Sequence, residues 1–328
     1  MKVFIAGATG VLGRRVVPLL RDRGHDVVGL SRGSEIDTTL RSLGAQPIRA
    51  DLFDVGSLAR AAEGADVIVR AATAIPPGAR WRGRDWATND RIRREGTQAL
   101  TACTARVHAK LYVQESIVWA ARPPDGSEFD ETSPASPGLW FASAIDAERI
   151  AREAGIRGGF RVATLRFGGF YSSDSSQTRF MGERLARRRL PILGRGNAVW
   201  SNLHVDDAAT ALVGAIGANQ DGLWHVVDDR PVRTSEFFTT FARLLGAPEP
   251  RRLPTWIARL AVGGGTVRFL TASTRTSNAR IRKDLDWVPH YPTCEEGLRQ
   301  VVDAWKAEGF PGLSEARVRT PSGAPGRP

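Results

Sequence analysis

Short apolar runs recur along the first half of the chain, each separated from the next by a stretch with helical spacing. Residues 3–6 form one such run, followed by glycines and a helix-like segment over 11–23. A β-branched run lies at 27–30 and another near 47–50, and residues 66–69, 111–113, 161–167 and 223–227 read as further buried strands. Strands buried on both faces show continuous apolar runs rather than alternation. Their repetition between helices predicts βαβ units in a mostly parallel sheet covered on both sides.

The second half breaks that rhythm. Residues 172–200, rich in Gly, Ser and Arg, interrupt it before 202–216 returns to strand-then-helix. Residues 229–308 are mainly helical, at 235–245, 255–262 and 294–306. The pattern predicts a cofactor domain from 1–171 and 200–228, with a smaller lobe from 172–199 and 229–308. Residues 309–328, full of Pro, Gly, Ser and Arg, are expected to form a disordered tail. No internal repeat is visible.

Composition sharpens the picture in three places. A chain of 328 residues with 42% hydrophobic content can bury a large core. Its net charge is +11, yet only Lys2, Lys110, Lys283 and Lys306 are lysines, so the excess is carried by arginine. The arginines are dispersed apart from a run at Arg184, Arg187, Arg188 and Arg189, with no basic arm or zinc-finger spacing. Dispersed charge gives weak, salt-sensitive attraction, so nucleic acid is not the expected partner. The local run better suits a small anionic substrate or a phosphate. Cys103 and Cys294 lack metal-ligand spacing, and no metal is expected. The opening residues are too soon interrupted by glycine for a secretory signal, and no apolar run reaches membrane-spanning length. A cytoplasmic protein that acts on a small molecule, away from membranes, is expected.

The chemistry begins at Gly7-Ala8-Thr9-Gly10-Val11-Leu12-Gly13, directly after the first strand and opening a helix. Gly7 permits the tight turn, Gly10 lets backbone approach a pyrophosphate, and Gly13 allows close helix–strand packing, with the helix amino end facing the anion. An NAD site usually carries an acidic side chain at the end of strand two. Ser31 and Arg32 stand there instead and suit a 2′-phosphate, so NADP(H) is favoured over NAD(H). Asp51 and Leu52 are placed to border the adenine, and Ala71, Ala72 and Thr73 to let backbone approach the middle of the cofactor.

With these residues the chain resembles the extended short-chain dehydrogenase/reductase superfamily, in its NAD(P)-dependent epimerase/dehydratase branch, over roughly residues 1–307. The resemblance also rests on Arg166-Phe167-Gly168-Gly169-Phe170-Tyr171, Leu203-His204-Val205-Asp206-Asp207-Ala208-Ala209, Ser277-Asn278-Ala279-Arg280 and Leu285-Asp286-Trp287-Val288-Pro289. It implies an α/β fold, a Rossmann-type doubly wound parallel sheet with a smaller, mainly helical substrate lobe. It also implies a homodimer through helices near 86–106 and 140–154. In that family a Ser or Thr ending strand five orients the substrate. A Tyr-x-x-x-Lys on the next helix moves the proton and holds the nicotinamide ribose. Here the helix segment reads Trp140-Phe141-Ala142-Ser143-Ala144, so an indole and a methyl stand where the phenol and ammonium are expected. Counting back from Trp119-Ala120 puts Glu115 in the hydroxyl slot, with Ser116 next to it.

Several readings stay open at this level. Glu115, in an apolar pocket beside Trp119 and Trp140, would be partly desolvated and suited to general acid–base work; it would equally serve as a structural partner of an arginine. Ser116 would bond the substrate or cap local backbone. Tyr171 and Asp174 border the expected substrate entrance, and Tyr171 would donate a proton or simply pack. His204 is expected to be structural. Trp81, Trp86, Trp119, Trp140 and Trp200 would line a flat aromatic or polycyclic pocket, or pack in the core. Together these point to an atypical NADP(H) enzyme running reduction, isomerisation, dehydration or cyclisation on a small, specialised-metabolite-like molecule. The alternatives are a non-catalytic NADP(H) sensor and a nucleotide-sugar epimerase or dehydratase.

Overall fold

The computed structural model describes residues 1–76, 81–136, 138 and 140–310. The chain runs β1 (Lys2–Ala6), α1 (Gly13–Asp22), β2 (Asp26–Ser31), α2 (Ser34–Ser42), β3 (Gln46–Arg49), α3 (Val55–Ala61) and β4 (Val67–Arg70). There follow α4 (Ala87–Arg91), a π-helical turn (Ile92–Gly96), α5 (Thr97–Arg106), β5 (Leu111–Ile117), α6 (Ala142–Gly158) and β6 (Arg161–Phe167). The remainder comprises β7 (Gly169–Tyr171), α7 (Ser176–Ala186), β8 (Ile192–Leu193), β9 (Val199–Trp200), β10 (Asn202–His204), α8 (Val205–Ala218) and β11 (Gly222–Val226). It ends with β12 (Val232–Arg233), α9 (Thr234–Leu244), β13 (Arg252–Leu253), α10 (Thr255–Val262), α11 (Gly264–Leu270), α12 (Ala279–Leu285) and α13 (Cys294–Ala307).

Seven strands pair in the order β11-β6-β5-β4-β1-β2-β3, every pair parallel. The order turns back at β1 and β4, which is the doubly wound topology, and opens a crevice at the carboxyl ends of those two strands. Alternate side chains explain why both faces are apolar. Val3, Ile5, Val69 and Val113 pack on α1 and α8 through Val16, Leu20, Ala208 and Leu212. Phe4, Ile68 and Tyr112 pack on α3, α5 and α6 through Leu58, Leu100, Cys103 and Ala151.

A third core forms the mainly helical lobe, where Tyr171, Leu185, Phe237, Phe241, Leu298, Val301 and Trp305 meet. A capping box starts α13. Thr293 Oγ1 accepts from the Glu296 amide, and the Glu296 carboxylate accepts from the Thr293 amide at 3.0 Å. The Trp305 indole N–H donates to Ser173 O at 2.7 Å, and Phe310 stacks on Trp305 at 4.4 Å. Phe310, expected in the tail, therefore packs here because its ring has an apolar partner in Trp305, five residues back. Residues 311–328 lie outside the described residues.

One boundary differs from the sequence expectation where it matters. The helix expected to carry Trp140 begins at Ala142, after a Phe141 whose backbone is not helical and which has no capping side chain. Trp140 thus sits ahead of the helix, where its ring packs among other aromatics.

Candidate functional site

The glycine loop is built for an anion. Gly7 has φ +100°, and a Cβ there would lie 2.5 Å from the Ala71 carbonyl carbon and the Ala72 amide nitrogen. A Cβ on Gly13 would lie 2.3 Å from Gly7 O, so α1 seats directly on the turn. Gly10 is different, since a Cβ there would meet only Gly7 O at 3.3 Å, leaving its outer face open. Thr9 and Gly10 form the tip, Val11 and Leu12 turn into the helix, and no side chain caps its amino end. Free amides above an open glycine are what a pyrophosphate requires. The residues present fit a dinucleotide.

The second and third strand ends are less simple. The Ser31 hydroxyl donates to the Asp37 carboxylate and accepts from the Gly33 amide at 3.3 Å. Asp37 is held below the usual carboxylate range by that hydroxyl and by Arg49, 2.8 Å away. Arg49 balances Asp37, which leaves exposed Arg32 as the uncompensated charge at the end of β2. Asp51 accepts from the Phe53 amide at 2.9 Å, and Leu52 packs beneath it towards Gly96. Ala71 and Ala72 touch the glycine loop, while Thr73 is exposed beyond them.

At the ends of β4 and β5 the sheet carries charge inside the molecule. Glu115 is buried and paired with Arg70 at 3.0 Å, and Arg70 is itself sealed. The Arg70 guanidinium also donates to Glu115 O and, at 3.0 Å, to Ala72 O, tying the two strand ends together. Ser116 points to α6, where its hydroxyl donates to Glu148. Glu148 is in turn gripped by Arg166 through two bonds of 2.9 and 2.6 Å. Arg166 also faces His225 Nε2 at 3.4 Å, so the ring proton sits on Nδ1 and donates to Thr276 Oγ1 at 2.6 Å. Burial, with Arg166 beside it, pulls His225 down to about 3 and keeps it neutral.

Beyond this charged layer stands an aromatic wall. Trp86 and Trp140 stack with centroids 6.1 Å apart and planes 12° from parallel. Trp81 meets both edge-on at 5.8 and 5.7 Å. Phe269, from α11, touches Trp81, Trp119, Trp140 and Phe141, the last at 5.4 Å. Of the tryptophans named from the sequence, the structure brings together Trp81, Trp86, Trp119 and Trp140, with Phe141 and Phe269 beside them. Trp200 lies elsewhere, on Phe237 and Phe238, lining a cavity of about 430 Å³ with Phe180, Arg184 and Arg189. That cavity reaches Leu270, the neighbour of Phe269, so it adjoins the wall.

Besides Trp200, two expected site residues fall outside this constellation. Asp174 is engaged by Arg14 at 2.9 Å and Arg15 at 2.8 Å on the first turn of α1, which ties it to the glycine-loop side. Tyr171 is buried in the lobe core, because β7 pairs with β10 and turns the ring onto Gly297 of α13. Burial pushes its hydroxyl well above the ordinary phenol range, with Asp228 adding to the effect. The other tyrosines are no nearer. Tyr112 bonds Gln114 on the α5 face and is pushed up to about 12 by burial, and Tyr291 packs on His204. His204 is structural, its Nδ1 accepting from the Asp206 amide to cap α8.

Glu148 and Phe269 carry no local sequence signal of their role. Arg70 left a trace, as a charge closing the apolar run of β4.

Comparison with known proteins adds four findings. The model of the NAD dependent epimerase/dehydratase family matches residues 3–226. A 3-diazoavenalumate denitrifying reductase from a Streptomyces species is 33% identical over 315 residues, covering 91% of this chain and 99% of that protein. A ceramide reductase from Caulobacter vibrioides is 26% identical, covering 94% and 95%. Among solved structures, human epimerase family protein SDR39U1 with NADPH superposes with a TM-score of 0.78 at 22% identity. It covers 92% of this chain and 99% of that one.

Proposed function

Because this chain belongs to the NAD dependent epimerase/dehydratase family, we propose that it is an NADP(H)-dependent reductase of a planar aromatic electrophile whose reduction needs no proton from the protein. The observation that carries this reading is the aromatic wall of Trp81, Trp86, Trp119, Trp140 and Phe269 standing where a proton relay is expected. All three tyrosines are placed elsewhere. The four lysines lie at Lys2, Lys110, Lys283 and Lys306, none of them at the carboxyl end of a sheet strand.

Such a site suits an arenediazonium-type substrate. Hydride replaces dinitrogen on a ring carbon, the carbon–nitrogen bond breaks with its electron pair leaving on N₂, and no alkoxide forms that would need protonation. The name of the Streptomyces relative, a denitrifying reductase of a diazo compound, supports that class. The reduced nicotinamide would supply the hydride when the dinucleotide is bound. The indole faces hold a flat cation by stacking and cation–π attraction, and exclude water that would compete for it. Glu115, at the same strand end, is ion-paired with Arg70 and adds no net charge, so the rings alone hold the cation. Gly7, Gly10 and Gly13 hold the pyrophosphate, and Arg32 the 2′-phosphate.

The test is anaerobic turnover with NADPH carrying deuterium at the transferable position and an aryl diazonium acid, against an enzyme-free control. Arene with deuterium on the former C–N carbon, released with N₂ above background, is the expected result. Reduction of ketones with no effect on the diazonium salt would overturn it. Arg32→Ala is expected to weaken NADPH about tenfold and leave NADH unchanged.

A further inference from the structure

A buried guanidinium beside this site has two nitrogens without a hydrogen-bond partner among the described residues. Arg93 is 2% exposed, and its Nε and Nη1 have no hydrogen-bond acceptor. It sits in the π-helical turn Ile92–Gly96, between α4 and α5, where one extra residue is looped into the helix. Burial pulls its pKa down, Glu115, Asp90 and Glu148 oppose this, and Arg70 adds to it. The four groups that feel its charge define where it lies: between the ends of β4 and β5 and the first turns of α6. Ala144 is buried one helical turn before Glu148, on the same face of α6. Ser143, beside it, donates to Asp90 at 2.6 Å, which brings α4 and the start of α6 into contact.

Arg93 is not the sole orphan there. Arg70 Nε, Asn89 Nδ2 and the Trp81 and Trp86 indole N–H groups are also buried without acceptors. Every one is a donor. Buried donors are rarely left unmade, since each costs the desolvation of its N–H group. The cluster therefore calls for a ligand rich in acceptors. Its charge narrows the choice. Arg70, Arg93 and Arg166 face Asp90, Glu115 and Glu148, so positive and negative groups balance. A further full charge is not demanded, whereas neutral hydroxyl oxygens fit.

We propose that Arg93 holds the nicotinamide-side ribose of the dinucleotide, donating to its hydroxyls from the π-helical turn between α4 and α5, which packs beside α6, where Ala144 stands in place of the expected ammonium. This rests on the dinucleotide reading above and deepens it: the cation has moved from one helix to its neighbour. A guanidinium can steady the ribose yet cannot pass a proton as an ammonium–phenol pair does, because it stays protonated. Arg93 is a binding and positioning residue.

Titration calorimetry on the full chain tests it without turnover. NADPH is compared with 2′,5′-ADP, and NADH with ADP; each shorter ligand keeps the adenosine half and lacks the second ribose. If the wild type binds neither dinucleotide, the cofactor reading itself fails. If it binds, Arg93→Gln is expected to weaken the dinucleotide about tenfold or more and leave the adenosine half unchanged. Unchanged dinucleotide affinity, or equal loss for both ligands, would overturn the proposal. A measurement on the wild type covers the case where the variant does not fold. NADPH lacking the 2′-hydroxyl of the nicotinamide ribose is expected to bind about tenfold more weakly, and equal affinity would sink the idea.

Discussion

At the scale of single residues, the buried His225 has a consequence that acid will reveal. Its folded pKa of about 3 lies below the unfolded value near 6.5, so its contribution to stability is fully present above pH 6.5 and is lost as pH falls towards 3. Urea midpoints measured between pH 7.5 and 4.5 are expected to fall for the wild type and to fall less steeply for His225→Gln. Identical slopes would show that the ring is not linked to folding. Asp228 has the opposite sign. Burial raises its carboxyl well above the ordinary range, and the Arg230 amide offsets this only in part. Its contribution is present below about pH 4 and is lost as pH rises. Asp228→Asn is therefore expected to raise the melting temperature at pH 7.5 more than at pH 4.5. The single residues hardest to read in sequence were of this kind, for a buried arginine such as Arg93 or a lone Phe269 leaves no periodic trace. Glu115 was legible as a strand-end carboxylate, but its partner Arg70 comes from the neighbouring strand, a pairing that exists only in the sheet.

At the scale of elements, the joint between β1, α1 and β4 governs the cofactor site. The absent side chains of Gly7 and Gly13 leave room that backbone atoms fill. Gly13→Ala must push α1 off the turn, and is expected to cost about 1–3 kcal/mol of stability or more. It should also abolish dinucleotide binding in calorimetry; a variant that folds and binds normally would refute this joint. These elements were readable because a glycine at fixed spacing after an apolar run has one physical use there. The start of α6 was not, since Trp140-Phe141 fits a helical apolar face as well as the aromatic wall. Tyr171 was misplaced for a related reason. Its neighbours come from β10 and α13, far along the chain, and the pairing of β7 with β10 decides which way it faces.

At the scale of the whole molecule, a parallel sheet is legible because each strand must be apolar on both faces, whereas the order β11-β6-β5-β4-β1-β2-β3 is visible only in the structure. The lobe is less legible, being assembled from pieces that begin with Tyr171 and end with Phe310. Phe310→Ala is expected to cost about 3–5 kcal/mol, read as a shift in the urea midpoint. Little or no shift would mean that the stack on Trp305 is not part of the stabilising core. The same arrangement constrains how the protein is made. Ribosomes add roughly 5–20 residues per second, so a nascent chain that has just delivered Tyr171 waits on the order of ten seconds for Trp305. Throughout that interval the lobe's greasy half-interface stands open, while the sheet up to β6 is already complete enough to close. Newly synthesised chains are thus exposed to chaperones chiefly through this lobe, and slowing translation after β7 should lower the yield of active protein.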